Sequence, residues 1–152
     1  MLRRLTLRLR QNRGFTLIEL LVVTLLLAIL AAIAIPAYLG HQKKGKDAEA
    51  ESNARNLSSR VELCYATSED YTQCDTDAEI GGDTNLPYGT GNGEVSVVTA
   101  TKSTYTITAV SRASSDGSNH TFSIVHGPSG TNERTCTAGS TNANGACRSG
   151  VW

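Results

Sequence analysis

Arg13-Gly14-Phe15-Thr16-Leu17-Ile18-Glu19, with the apolar run that follows it to Ile35, decides how this chain is read. Five arginines stand in front: Arg3, Arg4, Arg8, Arg10 and Arg13. From Phe15 to Ile35 the only charge is Glu19. As a helix those residues rise about 30 Å, one hydrocarbon thickness. A carboxylate inside a spanning helix costs about 2.5–3.5 kcal/mol on insertion scales and calls for a partner. No Lys, Arg or His lies in the run. A cut after Gly14 creates an α-ammonium on Phe15, four residues before Glu19. That amine can pair with Glu19 of its own helix or, in a bundle of parallel helices, with the carboxylate of an adjacent copy, which sets the axial register. The plainer alternative is a carboxylate snorkelling to water at the membrane edge.

The order of a basic leader, Gly14, an aromatic residue, Thr16-Leu17-Ile18-Glu19 and an apolar helix resembles the type III signal of type IV prepilins and their pseudopilin relatives. The resemblance covers about residues 9–50. It implies cleavage between Gly14 and Phe15 by a prepilin peptidase, and N-methylation of Phe15. It also places the family's subunit-docking glutamate on Glu19 and its helix-bending proline on Pro36. The implied fold is α+β: a long N-terminal helix, half spanning and half amphipathic, against a C-terminal antiparallel sheet.

The formal net charge of zero is misleading. Without the five leader arginines, nine basic residues face 14 acidic ones, a net of −5. Bulk charge therefore gives no reason to expect a nucleic-acid partner. The leader arginines put the N-terminus in the cytoplasm and the C-terminal part outside, although Lys43, Lys44 and Lys46 weaken the asymmetry. An ordinary secretory signal cut after Ala34 is the rival. The apolar run is longer than the usual h-region, and Pro36 sits just past that cut.

Outside the cytoplasm disulfides are expected. Cys64, Cys74, Cys136 and Cys147 contain no C-x-x-C, which disfavours a zinc ribbon. Four cysteines allow three pairings; Cys64–Cys74 and Cys136–Cys147 are favoured because each closes a short loop. No metal and no cofactor is expected. Asp75, Asp77 and Glu79 alternate like the start of an EF-hand, but Ile80 and Leu86 stand where glycine and glutamate belong.

The chain divides into a leader, 1–14, a hydrophobic helix, 15–36, and a globular head, 37–152. Pro36 interrupts the helix ladder and kinks or opens it. Over the head's helix, 37–66, Ala50, Ala54, Leu57, Val61 and Cys64 recur at steps of four and three. A loop, 67–93, is dense in Gly and Asp. The sheet, 94–126, has strands at Glu94–Thr101, Tyr105–Ser111 and Thr121–His126, a three- or four-stranded meander laid on the helix stripe. His120 and His126 read as loop or edge residues. The final segment, 127–152, is too poor in apolar residues to order itself. Cys136 and Cys147 pin it, and Val151 and Trp152 return to pack. It resembles the disulfide-bounded loop of many pilins.

No catalytic motif is present, so no enzyme is expected. Asn56-Leu57-Ser58 and Asn119-His120-Thr121 match the glycosylation triplet, and only the second falls in an expected loop. The expectation is a type IV major pilin. It is held in the cytoplasmic membrane with its C-terminus outside, then polymerised through its N-terminal helix into an extracellular filament. Its partners are other copies, the prepilin peptidase and the inner-membrane pilus assembly machinery. The alternatives are a type II secretion pseudopilin, a minor pilin, or an anchored binding protein that never polymerises.

Overall fold

The computed structural model describes residues 14–82, 85–140 and 145–152. The leader arginines lie outside the described residues. The elements are α1 (Leu17–Ser68), a 3-10 turn (Tyr71–Gln73), β1 (Val95–Ala100), β2 (Tyr105–Ser115), β3 (Ser118–His126) and β4 (Asn132–Thr137). The chain separates into two compact units that meet between Ala37 and Tyr38.

In the first unit α1 begins with a capping box. The Thr16 amide and hydroxyl both donate to Glu19 Oε2 (3.0 and 2.9 Å), and the Glu19 amide donates back to Thr16 Oγ1 (3.3 Å). This unit buries almost none of its apolar side chains: Leu17, Ile18, Leu20, Leu30 and Ile33 are all more than half exposed. Its most apolar 18-residue window has a mean hydropathy of 2.9, long and apolar enough to cross a membrane. Thr24 returns its hydroxyl to the Leu21 carbonyl (2.9 Å), which satisfies that donor within the helix. Pro36 lies within the bounds of α1. Its missing N–H removes one rung of the ladder there.

In the second unit α1 ends at Ser68, slightly beyond the expected 66, because Glu69 adopts a left-handed φ of 54° and its amide bonds the Tyr65 carbonyl (2.8 Å). Asp70 then caps the 3-10 turn through the Thr72 amide (3.0 Å). That turn lies within the long connection 67–93, and Tyr88 of the same connection forms an isolated bridge to Val95 of β1. Four strands form one antiparallel meander in the order β1-β2-β3-β4. The second and third strands run further toward one another than their apolar patterns suggest. They turn through Asp116 (φ 54°) and Gly117 (φ 79°), both in the region a two-residue type I′ turn demands. The fourth strand corrects the expectation of a loop over 127–152: its backbone pairs with β3 from Thr121 to His126 although its side chains are mostly polar.

The core of this unit follows the two periods. Ala50, Ala54, Leu57 and Val61 of α1 are buried against Tyr105, Ile107 and Ala109 of β2 and Phe122 and Ile124 of β3. Cys64–Cys74 joins the end of α1 to the 3-10 turn, and Cys136–Cys147 joins β4 to the C-terminal stretch. Trp152 packs edge-on to Phe122 (5.8 Å between centroids) and donates Nε1–H to the Ser123 carbonyl (3.2 Å). Val151 is exposed rather than packed.

Candidate functional site

The first unit presents a helix face on which Phe15, Ile18, Glu19, Val22 and Val23 come together. Helical geometry requires this, since steps of three and four share a face. Within this chain Glu19 is satisfied by Thr16, a partner three residues away that the Thr-x-x-Glu spacing signals directly. Gly14 and Phe15 precede the helix, and Phe15 is 83% exposed.

The second unit contains a buried polar cluster that the sequence reading missed. Asp47 is on the same helix stripe as Ala50 and Ala54, and it is 0% exposed. Four contacts satisfy its carboxylate. His120 Nδ1–H donates to both oxygens (3.0 and 2.9 Å), Ser111 Oγ to Oδ1 (2.7 Å) and the Ala146 amide to Oδ2 (3.0 Å). His120 Nε2 meets Ser115 Oγ (2.8 Å). The expectation that His120 lies in a loop or at an edge is thus overturned: the ring is wholly buried in β3. The alternation that turns Phe122 and Ile124 inward also turns His120 inward, two residues earlier. On β2 the inward positions read Tyr105, Ile107, Ala109, Ser111, Ala113, Ser115. They are apolar at one end and hydroxylated at the end that meets Asp47.

A carboxylate, an imidazole and a serine in that order are the parts of a nucleophilic relay. Here they are closed off: Asp47 and His120 are 0% exposed and Ser115 8%. No substrate reaches the Ser115 hydroxyl. The cluster ties α1, β2, β3 and the disulfide-closed C-terminal stretch to one carboxylate. Gly145 completes it. Its φ is +65°, and a β-carbon there would overlap Asp47 Oδ2.

At the other end of the helix stripe, Glu62 accepts from the hydroxyls of Tyr71 (3.0 Å) and Tyr105 (2.8 Å). Burial, then the Glu62 carboxylate, pushes the Tyr71 phenol well above its usual range. Burial likewise raises Tyr105, with the Ser58 hydroxyl opposing and Glu62 adding. His126 stacks on Tyr105 (4.9 Å) and shares Nδ1 with Asn132 Oδ1 (2.7 Å). Among the described residues no three of His, Cys, Asp and Glu converge to hold a metal. Glu79 is engaged by Thr76, through its hydroxyl at 2.8 Å. The glycosylation triplets fall in regular elements: Asn56 is on α1, and Asn119 is in β3 with its amide donating to Asn92 Oδ1.

The profile of the prokaryotic N-terminal methylation motif matches residues 9–35. The type IV major pilin protein PilA of Myxococcus xanthus is 41% identical over 71 residues, 47% of this chain and 31% of that protein. Prepilin peptidase-dependent protein D of Escherichia coli is 35% identical over 98 residues, 64% of each chain. Type II secretion system core protein G of Dickeya chrysanthemi is 35% identical over 54 residues, 36% of this chain and 35% of that protein. The matches thus span from about a third to just under two thirds of these relatives. No solved structure matches the chain. None of the three relatives is named as an enzyme.

Proposed function

From the premise that this chain is a type IV pilin-like protein, we propose that it is a structural subunit, a major pilin, that polymerises through its N-terminal helix into an extracellular filament. The observation that carries the reading is the first unit itself. A methylation motif leads into a helix whose large apolar side chains from Leu17 to Ile35 are left uncovered. Fully burying one such Leu or Ile is worth about 1.5–3 kcal/mol, so the surface has to be covered by lipid or by other copies. Lipid covers it while the subunit is stored in the cytoplasmic membrane, with the arginine leader inside and the head outside. Neighbouring helices cover it in the filament. Contacts between unlike faces of successive copies do not close, so growth continues as a helix.

Cleavage after Gly14 by a prepilin peptidase removes the leader and leaves an N-methylated Phe15. It also places a cation beside the Thr16–Glu19 box. In the filament reading Glu19 then docks the amine of an adjacent copy, and Pro36 supplies a weakened rung where the helix yields. The inner-membrane assembly machinery feeds the growing base. A pseudopilin role is the second reading, favoured by the match to a type II secretion core protein.

The test is intact mass and N-terminal sequencing of fibres sheared from cells. A chain beginning at methylated Phe15 in fibres extending beyond the cell supports the proposal. An uncut chain confined to membranes overturns it, and a processed chain found only with a secretion apparatus moves it to the pseudopilin. Glu19→Ala is expected to be processed normally yet to form few or no fibres. A normal fibre yield refutes the docking role.

A further inference from the structure

Between α1 and the β3–β4 edge of the sheet lies a cleft of about 200 Å³ that the filament reading does not use. We propose that this cleft binds a compact oxyanion, a phosphate or carboxylate group carried on a small soluble ligand. Its lining is donor-rich: Arg55, Ser58 and Ser59 from α1, Ile124 from β3, and Asn132 and Arg134 from β4.

The two guanidiniums are held by one ring. The Arg55 and Arg134 guanidinium carbons lie 5.0 and 5.3 Å from the centroid of the Trp152 indole. Trp152 is itself fixed, by its Nε1–H bond to the Ser123 carbonyl and by its edge-on contact with the buried Phe122 ring. Cation–π contact engages the face of a guanidinium and leaves its in-plane N–H fork for a carboxylate or phosphate. Both cations therefore reach the cleft preorganised, which removes part of the ordering cost of binding.

The charge balance points the same way. The two cations sit no more than about 10 Å apart, within roughly one Debye length at 0.1 M salt, so one anion can feel both. Their resident counter-charge is Glu51, 3.3 Å from Arg55. Burial raises its carboxyl above the ordinary 4.5, Asp47 adds to the shift, and Arg55 and Arg134 oppose it. Two guanidiniums facing one carboxylate leave a net positive charge for an arriving anion. Asn132 adds a neutral donor: its Oδ1 is taken by His126, which leaves the amide nitrogen available. The volume is below the roughly 300–1,000 Å³ of sites for drug-sized ligands, so the cleft accepts a headgroup-sized anion.

The full chain in maltoside micelles tests this, with its single tryptophan as reporter. Trp152 fluorescence is titrated with inorganic phosphate and with glucuronate, against sodium chloride at matched ionic strength. The expected result is a saturable change with a Kd on the order of 1 mM, weakened at least about tenfold by Arg134→Gln and by Arg55→Gln. Arg112→Gln, which removes an exposed guanidinium paired with Glu49, leaves it unchanged. Saturation by phosphate alone assigns a phosphate-ester source and by glucuronate alone a carboxylate source; both together assign the oxyanion as such. A response no different from chloride's overturns the proposal. So does an unchanged Kd in both arginine variants at a wild-type urea midpoint.

Discussion

Asp47→Ala is the substitution that most directly probes how the head is held together. Three donors end on that carboxylate: the buried His120 Nδ1–H and Ser111 Oγ–H, and the half-buried Ala146 amide. The serine hydroxyl can rotate toward another acceptor, but the ring and the amide cannot. Each unsatisfied buried donor costs about 1–3 kcal/mol, and here two are left without an acceptor. The expected loss is therefore about 2–6 kcal/mol, a large share of the roughly 5–15 kcal/mol a domain possesses. The assay is urea unfolding of the full chain in micelles. Trp152 fluorescence is the probe, because it reports on the head whatever the micelle does to the apolar helix. A double-mutant cycle with His120→Leu separates the pair from its surroundings. If the carboxylate and ring act as one unit, the two losses are less than additive by about 1–3 kcal/mol. A loss below about 1 kcal/mol for Asp47→Ala, or losses that add to within about 0.5 kcal/mol, refutes the reasoning.

Gly145→Ala forces a side chain into a left-handed φ of +65° and onto Asp47 Oδ2. It is expected to destabilise the head by more than the roughly 1–2 kcal/mol that the backbone alone exacts, read by the same urea midpoint. The Cys136→Ser/Cys147→Ser pair opens a closure 11 residues apart in sequence. It should cost roughly 2–3 kcal/mol by chain entropy, and combined with Asp47→Ala it should cost less than the sum, because both loosen Ala146. Asp116 accepts the Ser140 amide and hydroxyl, which hold its carboxyl below the ordinary 3.8. A carboxyl lowered on folding stabilises above its unfolded value and loses that contribution as pH falls through the folded one. The urea midpoint of the wild type should thus fall toward that of Asp116→Asn between about pH 5 and about pH 2. Asparagine tolerates the same turn geometry, so a difference that persists unchanged to pH 2 contradicts the assignment.

Much of the architecture was legible because it is periodic. Steps of three and four from Ala50 to Val61 and alternation from Tyr105 to Ala109 name the faces that meet in the core. Where a strand lacks that signal, reading failed: Asn132–Thr137 carries one buried residue, Cys136, and is a strand because β3 offers it an unpaired edge. The Thr16–Glu19 box is written in the sequence as Thr-x-x-Glu, one residue from the Phe15 amine expected as the partner of Glu19. Asp47 and His120 stand at positions that the stripe of α1 and the alternation of β3 already assign inward. Their chemistry hides them, because an acidic side chain and an imidazole are ordinarily solvated.

The sequence by itself determined the membrane-length helix, the processing-like motif and the α+β order, because length, charge and local period act within a few turns of chain. Only the tertiary structure decided that Asp47 meets His120 across 73 residues, that Gly145 closes over them, and that Arg55 and Arg134 converge on one indole. A residue's period says which way its side chain faces. What it faces depends on the register of the sheet against the helix, and that register is set by the fit of the whole core.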